Sequence, residues 1–277
     1  MNLYISDLHL GHENVIRFDN RPFENLDEMH NNIITNWNRA VTKRDTVYIL
    51  GDFCWGKTEQ WLEFLPQLNG NKVLIRGNHD LKQYSAPIKK HFTDICDYKE
   101  ISDNGKHLVL SHYAIPFHKA AYNPNCYMLF GHVHNTREND FLDKLRTNLR
   151  TSHCEDGHAV GNFINVGCMM PCMDYTPRTI DEIIYGFEKY ENDRLLKKYE
   201  TNLPEFLQTD IDRYKQAQED IQNGKEVSLI DCYYCELQSS INVCEVERII
   251  TPEHAWYLRE KYLGLMREDI LPENNFA

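Results

Sequence analysis

Five apolar runs in the first half of this chain end the same way, in a short cluster of Asp, Asn and His. Leu3-Tyr4-Ile5 leads to Asp7-Leu8-His9, and Thr46–Leu50 leads to Gly51-Asp52. Lys72–Arg76 leads to Gly77-Asn78-His79-Asp80, His107–Leu110 to Ser111-His112, and Tyr127–Phe130 to Gly131-His132-Val133-His134. A sixth run, Asn162–Gly167, follows. Continuous runs of β-branched and aromatic residues read as strands buried on both faces. Between them Leu26, Met29, Ile33, Ile34, Trp37 and Val41 recur at helical spacing, and Trp61, Leu62, Phe64 and Leu65 mark a second helix. Alternating strands and helices predict an α/β architecture. In such sheets ligands bind outside the carboxyl ends of strands, so the five clusters are expected to meet.

The residue types in the clusters suit a metal. Carboxylate, imidazole and amide oxygen, without thiolate, match divalent Mn, Fe, Zn, Ni or Co. If Asp7-x-His9 is extended, both side chains point to one face, and the same holds for His132 and His134. Two such pairs with a bridging carboxylate predict two metals, an arrangement that clamps the attacking and leaving oxygens of a phosphoryl displacement. A lone Asp or His at a strand end is ordinarily a cap or a solvated turn residue. Five clusters in order, each directly after an apolar run, are not explained that way.

The ordered set Asp7-x-His9, Gly51-Asp52, Gly77-Asn78-His79-Asp80, His112 and Gly131-His132-x-His134 closely resembles the calcineurin-like metallophosphoesterase superfamily, over about the first two-thirds of the chain. The resemblance implies a four-layer β-sandwich of two mixed sheets flanked by helices. It implies that Asp7, His9 and His134 hold one metal, that Asn78, His112 and His132 hold the other, and that Asp52 bridges them. His79 would contact the phosphate and protonate the leaving oxygen, and Asp80 would orient His79. The implied activity is hydrolysis of a phosphomonoester or phosphodiester by a metal-activated hydroxide. Around this set His12, Asn14, Arg17 and Arg21 are candidates for substrate contact. For the two arginines, an arginine–acid pair in a solvated loop is the competing reading. Two alternatives share the fold: a non-catalytic binding scaffold, and a nuclease acting on short or single-stranded nucleic acid.

Charge bears on partners. The chain carries 42 acids and 30 bases, a formal net charge of -12. Residues 178–277 hold 21 of the acids and only 12 of the bases. That sign disfavours gripping an extended nucleic-acid duplex by bulk charge, and leaves a phosphate-ester small molecule or nucleotide as the expected substrate. No run is long enough for a membrane span, the N-terminus lacks the pattern of an export signal, and the nine cysteines suit a reducing compartment, so a cytoplasmic protein is expected.

Two domains are expected: residues 1–190 as the metallophosphoesterase domain and 200–277 as an acidic helical extension. In the extension Leu203–Asn223 reads as helical, Val227–Val246 has apolar residues on nearly every turn, and Thr251-Pro252 opens a further helix with Thr as cap and Pro at its first position. The extension is expected to serve as a structural cap or as a docking surface for a protein partner. Cys232 and Cys235, three apart on a helix, read as packing residues rather than a zinc site. Residues 136–160 show no clear periodicity and are expected to form a surface excursion.

Overall fold

A computed structural model describes residues 1–151 and 161–267. The elements run β1 (Asn2–Ile5), α1 (Glu13–Phe18), α2 (Leu26–Ala40), β2 (Thr46–Ile49), α3 (Thr58–Phe64), β3 (Asn71–Ile75), α4 (Ala86–Lys89), β4 (Asp94–Cys96), β5 (Tyr98–Asp103), β6 (Lys106–Ser111), β7 (Cys126–Phe130), α5 (Arg137–Thr151), β8 (Phe163–Asn165), α6 (Ile180–Tyr199), α7 (Glu205–Gln222), α8 (Ile230–Val246) and α9 (Pro252–Leu258). The chain divides into two compact units, Met1–Tyr190 and a second that starts at Glu191.

The first unit is built on two four-stranded sheets flanked by helices. One has the order β1-β2-β3-β4 with every pairing parallel; the other has the order β5-β6-β7-β8, in which only β5 is antiparallel to its neighbour. The apolar runs alternate between two cores, as burial on both faces requires. On the first sheet Tyr4, Tyr48 and Val73 share the face turned to the second sheet, where Leu108, Leu110, Leu129 and Ile164 are buried, while Leu3, Ile5, Val47, Ile49 and Leu74 share the opposite face; one continuous core takes in both, together with Met29, Ile33 and Trp37 of α2 and Trp61 of α3. Val109, Met128, Phe130 and Phe163 face the other way, against Leu142, Leu145 and Leu149 of α5.

The segments following β1 and β8 tie the sheets together. Ser6 N–H donates to Val166 O (2.9 Å), and Cys168 N–H donates to Ser6 O (2.8 Å). The two chains run parallel there, so the carboxyl ends of β1 and β8 lie at one end of the fold.

Residues 137–151 form a helix where an excursion was expected; residues 152–160 lie outside those described. The apolar period of α5 is interrupted on its buried side by polar groups. Asn139, Asp143 and Arg146 are all buried, and Arg146 donates to Phe163 O (3.1 Å) while its guanidinium covers the Phe187 ring. An arginine that reads as a surface residue therefore packs as core.

The second unit has its own apolar cluster. Leu207, Ile211 and Tyr214 of α7, Leu237, Ile241 and Cys244 of α8, and Ala255 and Leu258 of α9 are buried together. Thr251 caps α9 by accepting from His254 N–H (3.2 Å). Cys232 and Cys235 lie exposed on α8.

Candidate metal centre

The strand-end clusters do converge. His9 Nε2 lies 3.1 Å from His134 Nε2 and 3.4 Å from Asp52 Oδ2, and His134 Nε2 lies 3.6 Å from Asp7 Oδ1. Ligand atoms of Asp7, His9, Asp52 and His134 all fall within 4.8 Å of one another. Beside them is a second group. His112 Nε2 and His132 Nδ1 lie 2.9 Å and 2.8 Å from Asn78 Oδ1, and His112 Nε2 is 3.6 Å from Asp52 Oδ2. The Asp52 oxygen thus stands between the two groups. Asp7, His9, Asp52 and His112 are buried, whereas Asn78, His79 and His132 are exposed, so the cluster opens to solvent on one side.

The shared orientation of Asp7 and His9 does not come from strand alternation. Both lie beyond the end of β1 with left-handed backbone, φ +56° and +50°, and Asp52, His132 and His134 do the same at +52°, +70° and +47°. Each such residue costs on the order of 1–2 kcal/mol. Asp and His tolerate the region better than most side chains, and strain of this kind concentrates at functional sites. The expectation of an extended Asp-x-His is corrected accordingly. The turns also need close backbone approach: a methyl group at Gly131 would collide with Ser6 Oγ and Asp7 Oδ2, and one at Gly77 with Asp52 Oδ1.

The donor set fits a cation. His134 Nδ1 pairs with Asp19 Oδ1 (2.7 Å), which leaves its Nε2 lone pair facing the cluster. Two imidazole nitrogens and two carboxylate oxygens then face each other with no positively charged side chain among them. Burial pushes the Asp7 carboxyl up, and the Asp52 charge adds to this against the pull of His134 and His112. Burial holds the His9 imidazole far below the ordinary histidine range. A divalent ion would relieve both, keeping the carboxylates ionised and accepting the imidazole lone pairs.

Several supporting residues carry no sequence signal. Asp19 braces His134 and also pairs with Arg21 (2.9 Å). Arg21 was a candidate for substrate contact; it is instead buried, donating to Asp7 O (2.9 Å) and Leu8 O (3.0 Å). It satisfies carbonyls that the left-handed turn leaves without strand partners. Asn165 donates to His134 O (2.7 Å), and the Cys168 thiol donates to Asp7 O (3.1 Å). The Asp80 carboxylate is turned to backbone amides. It accepts from the N–H groups of Asp52 (3.0 Å), Phe53 (2.9 Å) and Gly77 (2.7 Å), clamping the two loops that carry Asp52 and Asn78. Burial raises the Asp80 carboxyl to about 6, opposed by the Gly77 and Phe53 amides. His79 is placed by its own backbone, whose N–H donates to Asp52 Oδ1 (2.9 Å).

Of the other contact candidates, His12 lies at the cluster, its ring centroid 5.5 Å from that of His9. Asn14 and Arg17 are exposed on α1, and among the described residues neither is bonded to the cluster.

Other proteins share stretches of this sequence. A stretch of 78 residues is 49% identical to an uncharacterized protein of Methanocaldococcus jannaschii, covering 27% of this chain and 44% of that one. The gene 66 proteins of two Mycobacterium phages are 36% identical over 80 residues and 32% identical over 127, covering 28% and 40% of this chain. The matches span 38% and 62% of those phage proteins, so this chain matches less than two thirds of the length of each of these relatives. A solved structure, of a protein of unknown function from Aquifex aeolicus, is 31% identical with a TM-score of 0.48, covering 67% of this chain and 98% of its own. The sequence pattern of the calcineurin-like phosphoesterases matches residues 3–198, and with it all five polar clusters that converge in the fold. The chain belongs to the calcineurin-like phosphoesterase family.

Proposed function

We propose that the protein is a phosphoesterase dependent on two divalent metal ions, hydrolysing a phosphomonoester or phosphodiester of a small molecule or nucleotide. One observation carries this reading. Asp52 Oδ2 lies 3.4 Å from His9 Nε2 and 3.6 Å from His112 Nε2, so one carboxylate faces both nitrogen-rich groups. Asp7, His9 and His134 would hold one ion, Asn78, His112 and His132 the other, with Asp52 shared. The ions would be drawn from Mn, Fe, Zn, Ni or Co. When bound, such a pair lowers the pKa of a water nucleophile and neutralises charge on the phosphoryl oxygens.

The chain's own groups do the rest. His79, exposed beside the cluster, would donate a proton to the leaving oxygen as the phosphorus–oxygen bond breaks. Its backbone bond to Asp52 ties the acid to the shared carboxylate. Asp80 would position both indirectly, by clamping the backbone on either side. A cytoplasmic setting is part of the same proposal.

The test is hydrolysis of generic aryl phosphates by the full chain, with and without added Mn, alongside elemental analysis of bound metal. Metal-dependent turnover that collapses in Asp52→Asn and His79→Ala is the expected result. Undiminished turnover in both variants would sink the assignment, and protein that takes up no metal would point to a non-catalytic scaffold.

A further inference from the structure

Two of the loops that carry cluster residues each continue, three residues on, to an aromatic ring. His12 follows His9, and Trp55 follows Asp52. The two rings stack with centroids 4.2 Å apart and planes within 10°. Trp55 also lies 5.0 Å from the His79 ring, which is itself 5.5 Å from His9. The backbone that carries the indole is tied down: the Trp55 backbone N–H donates to Leu10 O (2.8 Å), the Leu10 backbone N–H donates to Phe53 O (3.1 Å), and the intervening Cys54 is buried. Yet with His12 covering one face, Trp55 remains 42% exposed. Phe18, also exposed, stands edge-on to His12 at 6.4 Å. A large ring kept partly open, on a stiff backbone, beside the residue that would protonate the leaving oxygen, is placed to meet the organic part of a substrate rather than its phosphate.

We propose that Trp55, backed by His12, is a stacking platform for a planar aromatic group on the leaving-group side, so that the site selects aryl or nucleoside phosphate esters over alkyl ones. This rests on the phosphoesterase reading above. Aromatic stacking tolerates any π-face, so the platform would not by itself distinguish a simple aryl group from a nucleobase.

Kinetics of the Mn-loaded full chain on phenyl phosphate, a nucleoside monophosphate and glycerol phosphate, for wild type, Trp55→Ala and Trp55→Phe, test the proposal. Trp55→Ala is expected to raise KM for the aromatic esters about 10- to 100-fold, the range typical of base–aromatic stacking, with kcat little changed. Glycerol phosphate turnover and metal content should stay as in wild type, and Trp55→Phe should recover most of the loss. A response confined to phenyl phosphate or to the nucleotide would identify which aromatic group is taken. Calorimetric binding of inorganic phosphate and of adenosine monophosphate gives a readout that needs no turnover. The nucleotide should bind more tightly than phosphate in wild type and lose that advantage in Trp55→Ala. A nucleotide no tighter than phosphate in wild type, or Trp55→Ala slowing aromatic and alkyl esters alike, would overturn the platform. Phosphate binding without hydrolysis of any ester would instead defeat the phosphoesterase reading, while the binding comparison still decides the stack.

Discussion

The two sides of the metal centre are built differently. Asp7, His9 and His134 sit on a braced floor: Asp19 pairs with His134, while Arg21 and Cys168 bond to the Asp7 carbonyl and Asn165 to that of His134. On the other side His112 is buried and held by Leu50 O (2.8 Å), but Asn78 and His132 are exposed and meet chiefly through Asn78 Oδ1. One side has its geometry set by protein bonds before any cation arrives. The other has fewer protein bonds and lies toward solvent, and in the two-ion reading proposed above it would depend more on its cation to draw the ligands together. The difference predicts that the braced side retains metal longer and that the open side exchanges it.

The sharpest way to break the comparison is Asp52→Asn, which removes the charge the two sides share. Turnover is expected to fall on the order of a thousandfold or more, with bound metal reduced on both sides; elemental analysis together with kcat would show it. Next is His79→Ala, which belongs to neither side. It should lower kcat about 10²-fold or more with metal content intact, and equal losses of metal and activity would show His79 to be structural instead. Asp19→Asn addresses the braced side alone. It should weaken one metal about 10- to 100-fold in a competition titration against a chelator and leave the other unchanged. If both ions weaken together, the two sides are not independent. The mildest test lies away from the site. Leu145→Ala, partly buried under the second sheet, should cost about 1–2 kcal/mol in denaturant unfolding with kcat/KM unchanged, which would confirm that loss of packing there does not by itself disturb the centre.

Much of the first unit was legible because its strands are apolar on both faces and its clusters follow them directly. Two strands were not. β5 alternates exposed and half-buried residues, and β4 is three residues long, so neither makes an apolar run. Helix α5 escaped because Asp143 and Arg146 occupy its buried side. Within the site, sequence order identified the residues that meet, but not Asp19, which lies 115 residues from the histidine it braces and has no local pattern to mark it. Arg21 was legible as a charge near the site but not as a buried one, because burial depends on the turn whose carbonyls it satisfies.

The sequence by itself determined the chemistry: which residue types stand at strand ends, in what order, and therefore that carboxylates, imidazoles and an amide would gather in one cluster of a kind that suits a cation. Only the tertiary structure decided how they gather. The left-handed turns at Asp7, His9, Asp52, His132 and His134, the Asp80 clamp and the Asp19 brace all depend on loops closing against one another across the two sheets. The physical reason is that strand and helix periodicity records burial over neighbouring residues. A turn of single residues has no period, and its strain is tolerated only because distant parts of the chain hold it in place.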